Sequence, residues 1–186
     1  MKLKDQFFGL AVAFACTLLV LSIGASLTDL GPWYWALKQP EWKPPDAAFG
    51  VIWSLIFSLC AVSAWLAWRA SPMGRTRRVM VWLFLLNALL NVFWSGLYFK
   101  LQRPDWALFE VVGLWLSIVA LIVVLWRHSR WASVLLVPYL LWVSIASVLN
   151  LETIRLNGPF DTSSPLKTVQ YYPSIENGFT SGLTLL

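Results

Sequence analysis

Long runs of apolar residues alternate with short polar segments along this chain and determine its secondary structure. Five runs of about 20 residues carry few or no charges. A helix rises about 1.5 Å per residue, so each run is long enough to cross a hydrocarbon core of roughly 30 Å. The pattern predicts five transmembrane helices, over residues 7–27, 49–68, 79–99, 106–126 and 131–151.

The connections between these runs indicate how the helices are arranged. The first connection, residues 28–48, is long, whereas residues 69–78, 100–105 and 127–130 form short polar links. Short links place neighbouring helices antiparallel, and a helix bonds its own backbone polar groups as the bilayer requires. The sequence therefore predicts an all-α membrane protein, a five-transmembrane-helix bundle over residues 1–157.

The chain after residue 157 has a different character. Residues 158–186 are rich in Ser, Thr, Pro and Gly and show no helical period. A segment of this kind cannot bury enough apolar surface to fix its backbone. We expect a flexible C-terminal tail that lies outside the bundle.

Composition supports a membrane-embedded chain. Hydrophobic residues make up 59% of the sequence and charged residues only 12%, which is too little charge to cover a soluble globule. A cleaved secretory signal is the alternative for the first run, but that run exceeds the usual apolar core of a signal peptide. Cys16 and Cys60 lie in different predicted spans, so they indicate neither a disulfide framework nor a metal site.

Basic residues at the ends of the spans give a weak preference for one orientation. The side that would hold the N-terminus and the links 69–78 and 127–130 carries eight Lys and Arg, and the other side carries six. The positive-inside rule then places the N-terminus in the cytoplasm and the loop 28–48 outside, in what we expect to be a bacterial cell membrane. The net charge of +5 is explained by lipid phosphates at the span ends, so no nucleic acid is expected.

Catalytic and metal-binding patterns are sparse. The one histidine, His128, lies in a polar link, so a histidine-based zinc site or triad within the membrane is not expected. The sequence contains no P-loop, no GxGxxG and no GxSxG pattern. We expect a protein without a metal site or a required cofactor.

Polar residues within the spans point to the interior of the bundle. Asn87 and Asn91 are four residues apart on one face of the third helix, and Trp142, Ala146 and Asn150 form a stripe on the fifth. Amides in hydrocarbon are costly without partners, so both faces should point inward. They act either as hydrogen bonds between helices or as the lining of a cavity, in which Ala146 would leave room beside Trp142.

Tryptophan is concentrated in this chain. Four of its 13 tryptophans lie within residues 31–53, around a Pro-rich connector whose large aromatic faces suit ligand contact better than water. Others lie near span ends, where indole rings favour the membrane interface. Deeper ones must find an acceptor for the indole N–H or face a cavity; they are Trp53, Trp65, Trp94, Trp115 and Trp142.

Ordered motifs along the chain resemble the TspO/MBR family, the tryptophan-rich sensory proteins related to the mitochondrial translocator protein or peripheral-type benzodiazepine receptor. The connector carries Trp33-Tyr34, Leu37-Lys38-x-Pro40-x-Trp42-x-Pro44-Pro45 and Phe49-Gly50-x-x-Trp53. Further matches are Ala64-Trp65-Leu66, Asn91-x-x-Trp94-Ser95, Leu114-Trp115, Pro138-Tyr139-Leu140-x-Trp142, Leu149-Asn150 and Arg155-Leu156-Asn157. The resemblance extends over residues 33–157.

The resemblance implies a five-helix bundle with a ligand cavity covered by the loop 28–48, usually in a homodimer. Members bind tetrapyrroles such as protoporphyrin IX, and animal members bind cholesterol and benzodiazepine-type ligands. Carried over residue by residue, the ligand-binding residues are Tyr34, Pro44, Trp53, Asn87, Asn91, Trp142 and Ala146. Many relatives have Gln where this chain has Asn87, and residues 148–155 lack the Tyr of the animal sterol motif.

Three functions follow as expectations. The first is a membrane receptor for a planar hydrophobic ligand, with porphyrin as ligand, that acts as a sensor or regulator. The second is a transporter of tetrapyrroles or sterols, for which the sequence shows no inverted repeat or broken helices. The third is an enzyme that degrades porphyrin in light, in which the indoles of Trp53 and Trp142 would carry a radical.

Overall fold

A computed structural model of the chain describes residues 3–160, with side chains from residue 7 onward. The part of the predicted tail beyond residue 160 lies outside these residues. All regular secondary structure among the described residues is helical. Its helices are α1 (Leu3–Leu27), α2 (Pro32–Ala36), α3 (Asp46–Ala70), α4 (Arg75–Ser95), α5 (Pro104–Trp126), α6 (Arg130–Val134) and α7 (Val137–Asn157).

The predicted five-helix membrane bundle is confirmed. Five helical segments among the described residues are long and apolar enough to cross a membrane: Phe7–Leu27, Asp46–Ala70, Arg75–Lys100, Pro104–Trp126 and Arg130–Asn157. Helix α1 packs against α3 and α4, α4 packs against α5, and α5 packs against α7. Large apolar side chains such as Phe109 and Trp82 point outward, where lipid replaces water as the solvent.

The fifth predicted span is two helices rather than one. The short helix α6 begins after Ser129, whose side-chain oxygen accepts a hydrogen bond from the backbone N–H of Ala132 at 3.3 Å. Helix α7 then begins with Pro138 in its first turn, where a residue without an N–H costs no hydrogen bond. Apolar periodicity runs through both helices, so the break was not visible in the hydrophobic pattern.

Helix α6 closes the end of the bundle opposite the first loop. The Ser63 hydroxyl donates to the carbonyl oxygen of Ala132 at 2.7 Å, and the Ser133 hydroxyl donates to that of Ile122 at 2.6 Å. These bonds tie α6 to α3 and to α5. The helices are consequently held together at this end by buried hydrogen bonds as well as by apolar packing.

The third predicted span ends in an irregular turn. Residues Gly96–Lys100 continue α4 as one turn of π-helix, in which Leu97 and Tyr98 are buried. A π turn inserts an extra residue and so rotates the side chains that follow relative to an ideal α-helix. Tyr98 and Phe99 thereby reach the interior near the first loop.

Arginine and tryptophan side chains are paired at the ends of the spans. The Arg69 guanidinium lies 4.7 Å from the ring centroid of Trp65, and that of Arg103 lies 4.3 Å from Trp106. A tryptophan ring is apolar but attracts a cation to its face, so an Arg–Trp pair is suited to the boundary between headgroups and hydrocarbon. These pairs lie at both ends of the bundle, as expected for a chain that crosses the bilayer.

Candidate ligand-binding site

A cavity of about 460 Å³ lies beneath the first loop, enclosed by α1, α3, α4, α5 and α7. Its wall is mainly apolar and aromatic, with a few polar side chains near the loop. Helices α3 and α7 meet across it through the Phe49 and Trp142 rings, whose centroids are 5.4 Å apart, and through Trp53 and Tyr139 at 6.0 Å. The cavity therefore has rigid, flat walls.

Five of the seven predicted site residues line this cavity. Tyr34 comes from α2 in the loop, Trp53 from α3 and Asn91 from α4, and α7 contributes Trp142 and Ala146. Residues from four separate helices thus converge on one space. Helix periodicity had placed Asn91, Trp142 and Ala146 on inward faces, and the fold brings those faces together.

The other two predicted residues lie elsewhere. Pro44 belongs to the connector before α3 and is not among the described residues that line the cavity. Asn87, one turn from Asn91, is buried and donates from Nδ2 to the Ser117 hydroxyl at 2.8 Å. Its Oδ1 accepts a hydrogen bond from the Tyr139 hydroxyl at 3.3 Å. Asn87 thus bridges helices, whereas Asn91 both faces the cavity and donates to Tyr139 at 3.1 Å.

Several lining residues were not predicted from the sequence. Trp94 and Tyr98 stack with centroids 5.1 Å apart. Trp94 continues the Asn91 face by one turn, as helical spacing indicates, whereas Tyr98 follows the π turn that begins after Ser95 and is carried inward by it. Helix α1 contributes Val20, Leu21 and Gly24. That helix is apolar all round, so its sequence carried no signal for the inward face.

Two indole groups in the cavity wall have no acceptor among the residues that the structure describes. The indole nitrogens of Trp94 and Trp142 and the Gln39 amide nitrogen are buried without a hydrogen-bond partner in the described part of the chain. Trp115, by contrast, donates from its indole nitrogen to the Ser144 hydroxyl at 3.0 Å. The deep tryptophans thus include both kinds that the sequence allowed, one bonded within the bundle and others facing the cavity.

A polar cluster lies where the loop meets α3. The Tyr34 hydroxyl donates to Asp46 Oδ1 at 2.6 Å, and Lys43 Nζ lies 2.5 Å from the same oxygen. Lys43 Nζ is also 5.5 Å from the Tyr34 ring centroid, within cation–π range. Burial, followed by the hydrogen bond to Asp46 and the carboxylate charge, raises the pKa of Tyr34 above its ordinary value. Tyr34 and Asp46 line the cavity, so this cluster is its polar end.

The end of α7 holds the loop in place. The backbone N–H of Lys38 donates to Asn157 Oδ1 at 2.7 Å, and Asn157 Nδ2 donates to the Lys38 carbonyl oxygen at 2.9 Å. Phe160, just beyond α7, packs with Tyr34 and Leu37 in a small buried cluster. The loop is therefore fixed to the bundle rather than lying free above it.

Comparison with known proteins decides the family. A sequence model described as the TspO/MBR family matches residues 11–156, which include three of the five spans in full, the last span up to its penultimate residue and most of α1. The chain belongs to the TspO/MBR family. The resemblance seen in the sequence motifs is thereby confirmed.

Relatives of this TspO/MBR protein come from all three domains of life. The tryptophan-rich protein TspO of Chlorobaculum tepidum is 34% identical over 161 residues, which cover 83% of this chain and 99% of that protein. The tryptophan-rich protein TspO of Archaeoglobus fulgidus is 33% identical and covers 77% of this chain, with 95% of its own length matched. The human translocator protein is 30% identical over 63% of this chain and 70% of its own length.

The cavity lining combines aromatic surfaces with a few polar groups. Among residues 7–160, no three His, Cys, Asp or Glu side chains come together in a way that could hold a metal ion. The lining offers flat aromatic faces, unpaired indole N–H groups and one carboxylate at the loop end. Such a surface can hold a planar apolar body whose edges carry hydrogen-bond acceptors.

Proposed function

We propose that this TspO/MBR-family protein is a membrane receptor that binds tetrapyrroles of the protoporphyrin IX type and acts as a sensor or regulator. The observation that carries the proposal is the cavity that joins Tyr34, Trp53, Asn91, Trp142 and Ala146. Its volume of about 460 Å³ is within the roughly 300–1,000 Å³ of small-molecule sites. Aromatic walls favour planar rings, which can stack or meet them edge to face.

Polar groups of the cavity support an amphiphilic ligand. The buried nitrogens of Trp94, Trp142 and Gln39 find no acceptor in the described part of the protein, and an unpartnered buried donor costs about 1–3 kcal/mol. Carboxylate or carbonyl oxygens on the edge of a ring would accept from such donors after small side-chain adjustments. A porphyrin with propionate groups has this combination of a planar body and oxygen-bearing edges.

Filling the cavity tests the proposal. Protoporphyrin IX is titrated in the dark into the purified protein, and quenching of tryptophan fluorescence reports binding. We expect Ala146→Phe to weaken binding at least about tenfold, because the added ring occupies the space beside Trp142; this corresponds to about 1.4 kcal/mol. Val148→Phe is the matched control, since Val148 lies on α7 but is exposed outside the cavity.

Two results would contradict the receptor proposal. The first is a wild-type protein whose fluorescence does not respond to protoporphyrin IX. The second is equal loss of binding in the two phenylalanine variants, which would show that the effect does not come from the cavity.

We propose light-dependent porphyrin breakdown as a second function, favoured by the placement of Trp53 and Trp142 on facing helices of the cavity. Both indoles are oxidisable groups that a bound porphyrin would touch. Under illumination, the absorption spectrum of bound porphyrin should change in the wild type and be preserved in Trp142→Phe. Trp115→Phe is the control, since Trp115 lies outside the cavity. An unaltered wild-type spectrum in light would exclude this activity and leave the receptor proposal intact.

We also propose that the protein is a homodimer, as the resemblance to its family implies. Light scattering with correction for bound detergent measures the mass of the purified complex. Twice the chain mass of 21.1 kDa is expected. A single-chain mass across the concentration range would contradict the proposal.

A further inference from the structure

Four residues mark where the cavity opens. Most of its lining residues are buried or half-buried, but Ala25, Leu30, Ala47 and Gly50 both line the cavity and are exposed. They belong to the last turns of α1, the start of the loop and the first two turns of α3. Because the exposed lining residues come from the end of α1, the start of the loop and the beginning of α3, we place the mouth of the cavity between α1 and α3 near the loop.

The rim of this mouth is small and apolar. Three of its members are Ala25, Ala47 and Gly50, and a Cβ atom built on Gly50 meets no atom within 4 Å. Leu30 supplies the remaining side chain. None of these four exposed residues carries a charged or hydrogen-bonding side chain, which favours apolar molecules, while the half-buried Thr28 and Asp46 of the same lining lie beside them.

The mouth lies at the depth of the membrane rather than above it. Ala25 belongs to the apolar span Phe7–Leu27, and Ala47 and Gly50 belong to Asp46–Ala70. Gly50 is four residues inside α3, about 6 Å along the helix axis from its start at about 1.5 Å per residue. Three of the four rim residues thus belong to the terminal turns of candidate membrane spans, where the hydrocarbon meets the headgroups.

The route from water is closed by specific bonds. Two hydrogen bonds join Asn157 to the Lys38 backbone, and the Tyr34 hydroxyl and Lys43 converge on Asp46. A ligand that came through the loop would have to break these contacts. A ligand that came between α1 and α3 would break none of them.

We propose that ligands reach the cavity sideways from the lipid, through the gap between α1 and α3 that Ala25, Ala47 and Gly50 border. The class of ligand that this route admits is a flat, largely apolar molecule already dissolved in the bilayer, with any charged edge held at headgroup level. The inference rests on the proposed function, since it assumes that the cavity takes such a ligand. It makes the loop a fixed cover rather than a moving lid.

Narrowing the mouth from either helix tests the route. The protein is reconstituted in vesicles and loaded with protoporphyrin IX, and excess empty vesicles are added in the dark. Recovery of tryptophan fluorescence then gives the rate of release. Loaded vesicles without protein give the rate at which porphyrin leaves the lipid itself.

Gly50→Phe and Ala25→Phe should each slow release and uptake together, on the order of tenfold, because a barrier on the path affects both directions equally. Because both residues also line the cavity, the dissociation constant is measured by titration for each variant, so that a change in affinity is separated from a change in the barrier to entry and release. Val51→Phe and Ile23→Phe are the matched controls on α3 and α1, since both residues are exposed and lie outside the cavity lining. Release at the wild-type rate from both mouth variants would overturn the proposal.

A locked loop separates the two routes. Asn157 holds the Lys38 backbone, so Lys38→Cys with Asn157→Cys, in a Cys16→Ser background, introduces a cysteine pair across this contact, and formation of the disulfide is checked before the kinetics are measured. Release should have the same rate before and after reduction of this disulfide. Release that stops when the disulfide forms would assign the route to the loop and overturn the proposal. If the disulfide does not form, the rates of the mouth variants decide.

Failure of the proposed function is a separate outcome. It appears as absence of dark quenching in the wild type, whereas failure of the lateral route appears as normal binding with unchanged rates in the mouth variants. The two outcomes are therefore distinguished by the equilibrium titration and the kinetics of the same samples.

Discussion

Single buried side chains connect three helices through one line of hydrogen bonds. Asn91 on α4 donates to Tyr139 on α7, Tyr139 donates to Asn87, and Asn87 donates to Ser117 on α5. The Ser117 hydroxyl ends the line at the Leu114 carbonyl oxygen, 2.7 Å away. Each group bonds to the next, so removal of the Tyr139 hydroxyl takes this partner from Asn91 Nδ2 and Asn87 Oδ1, while Asn87 Nδ2 keeps its bond to Ser117.

Tyr139→Phe tests this line at the residue scale. The change keeps the ring but removes the partner of Asn91 Nδ2 and Asn87 Oδ1, so the free energy of unfolding should fall by about 1–2 kcal/mol. Unfolding in mixed detergent micelles provides the measurement. Ser58→Ala serves as control, since that hydroxyl bonds only within its own helix and its loss should cost under about 0.5 kcal/mol. Equal stability of Tyr139→Phe and wild type would show that the line contributes nothing.

For Glu110 we predict that a substitution stabilises the protein, in contrast to Tyr139→Phe. Both carboxyl oxygens are buried with no hydrogen-bond partner among the described residues, on a face of α5 beside Phe93 and Phe109. An unpartnered polar group costs about 1–3 kcal/mol, so Glu110→Met should raise the free energy of unfolding by that order. The exposed loop acid provides the control Glu41→Met, which should be close to neutral. A destabilised Glu110→Met would indicate that the carboxyl has a partner in the membrane.

Among the elements, the first loop, which was predicted to cover a ligand cavity, has the most internal structure that the sequence did not indicate. It contains the short helix α2, which begins at Pro32 and presents Tyr34 inward. Tyr34 and Leu37 are buried with Phe160, and the Lys38 backbone is bonded to Asn157 at the end of α7. Contacts distant in sequence thus give this element its order, which its own composition could not indicate.

The titration of Tyr34 gives a prediction at the element scale. Its pKa is raised by burial and by the Asp46 carboxylate, so the folded loop keeps a proton that the unfolded chain releases above about pH 10. The stabilisation is complete below that pH and is lost as the pH rises. Between about pH 10 and 11.5 the free energy of unfolding should fall more steeply in the wild type than in Tyr34→Phe, by about 1.4 kcal/mol per pH unit.

Detergent-solubilised protein unfolded at a series of pH values measures this difference. Trp35→Phe is the control, because Trp35 is an exposed neighbour and its replacement should keep the wild-type slope. If the free energy of unfolding depends on pH in the same way in the wild type and in Tyr34→Phe, the pKa of Tyr34 is not raised in the folded protein.

For the whole molecule, the order of the five spans determines which links lie on the same side of the membrane. Which of the two sides is cytoplasmic depends on the distribution of Lys and Arg between the links. We predict that the link between α3 and α4 is cytoplasmic and that between α4 and α5 is outside, following the Lys and Arg distribution. Exposed positions for single cysteines are Met73 and Leu101, in a Cys16→Ser, Cys60→Ala background. An impermeant maleimide should label Leu101→Cys in intact bacterial cells and Met73→Cys only after the membrane is permeabilised. The reverse pattern would place the N-terminus outside.

The sequence determined the number and approximate position of the membrane helices and the family. A bilayer demands about 20 apolar residues per crossing, and this requirement appears in any window of the chain without knowledge of its partners. Periodicity also determined which faces of α4 and α7 point inward, since unpartnered amides cannot face lipid. The tryptophan and proline motifs then identified the family and, with it, five of the residues that line the cavity.

Tertiary structure alone decided what each inward residue does. Asn87 and Asn91 share one face, and only the position of the Tyr139 hydroxyl between them makes one a bridge between helices and the other part of the cavity wall. Helix packing also decided three other features, since each depends on which helices meet and how closely. These are the role of α1, the π turn that carries Tyr98 inward and the mouth at Gly50. The physical reason is that a helical period gives the direction of a side chain, whereas depth, neighbours and empty space arise only when several helices pack together.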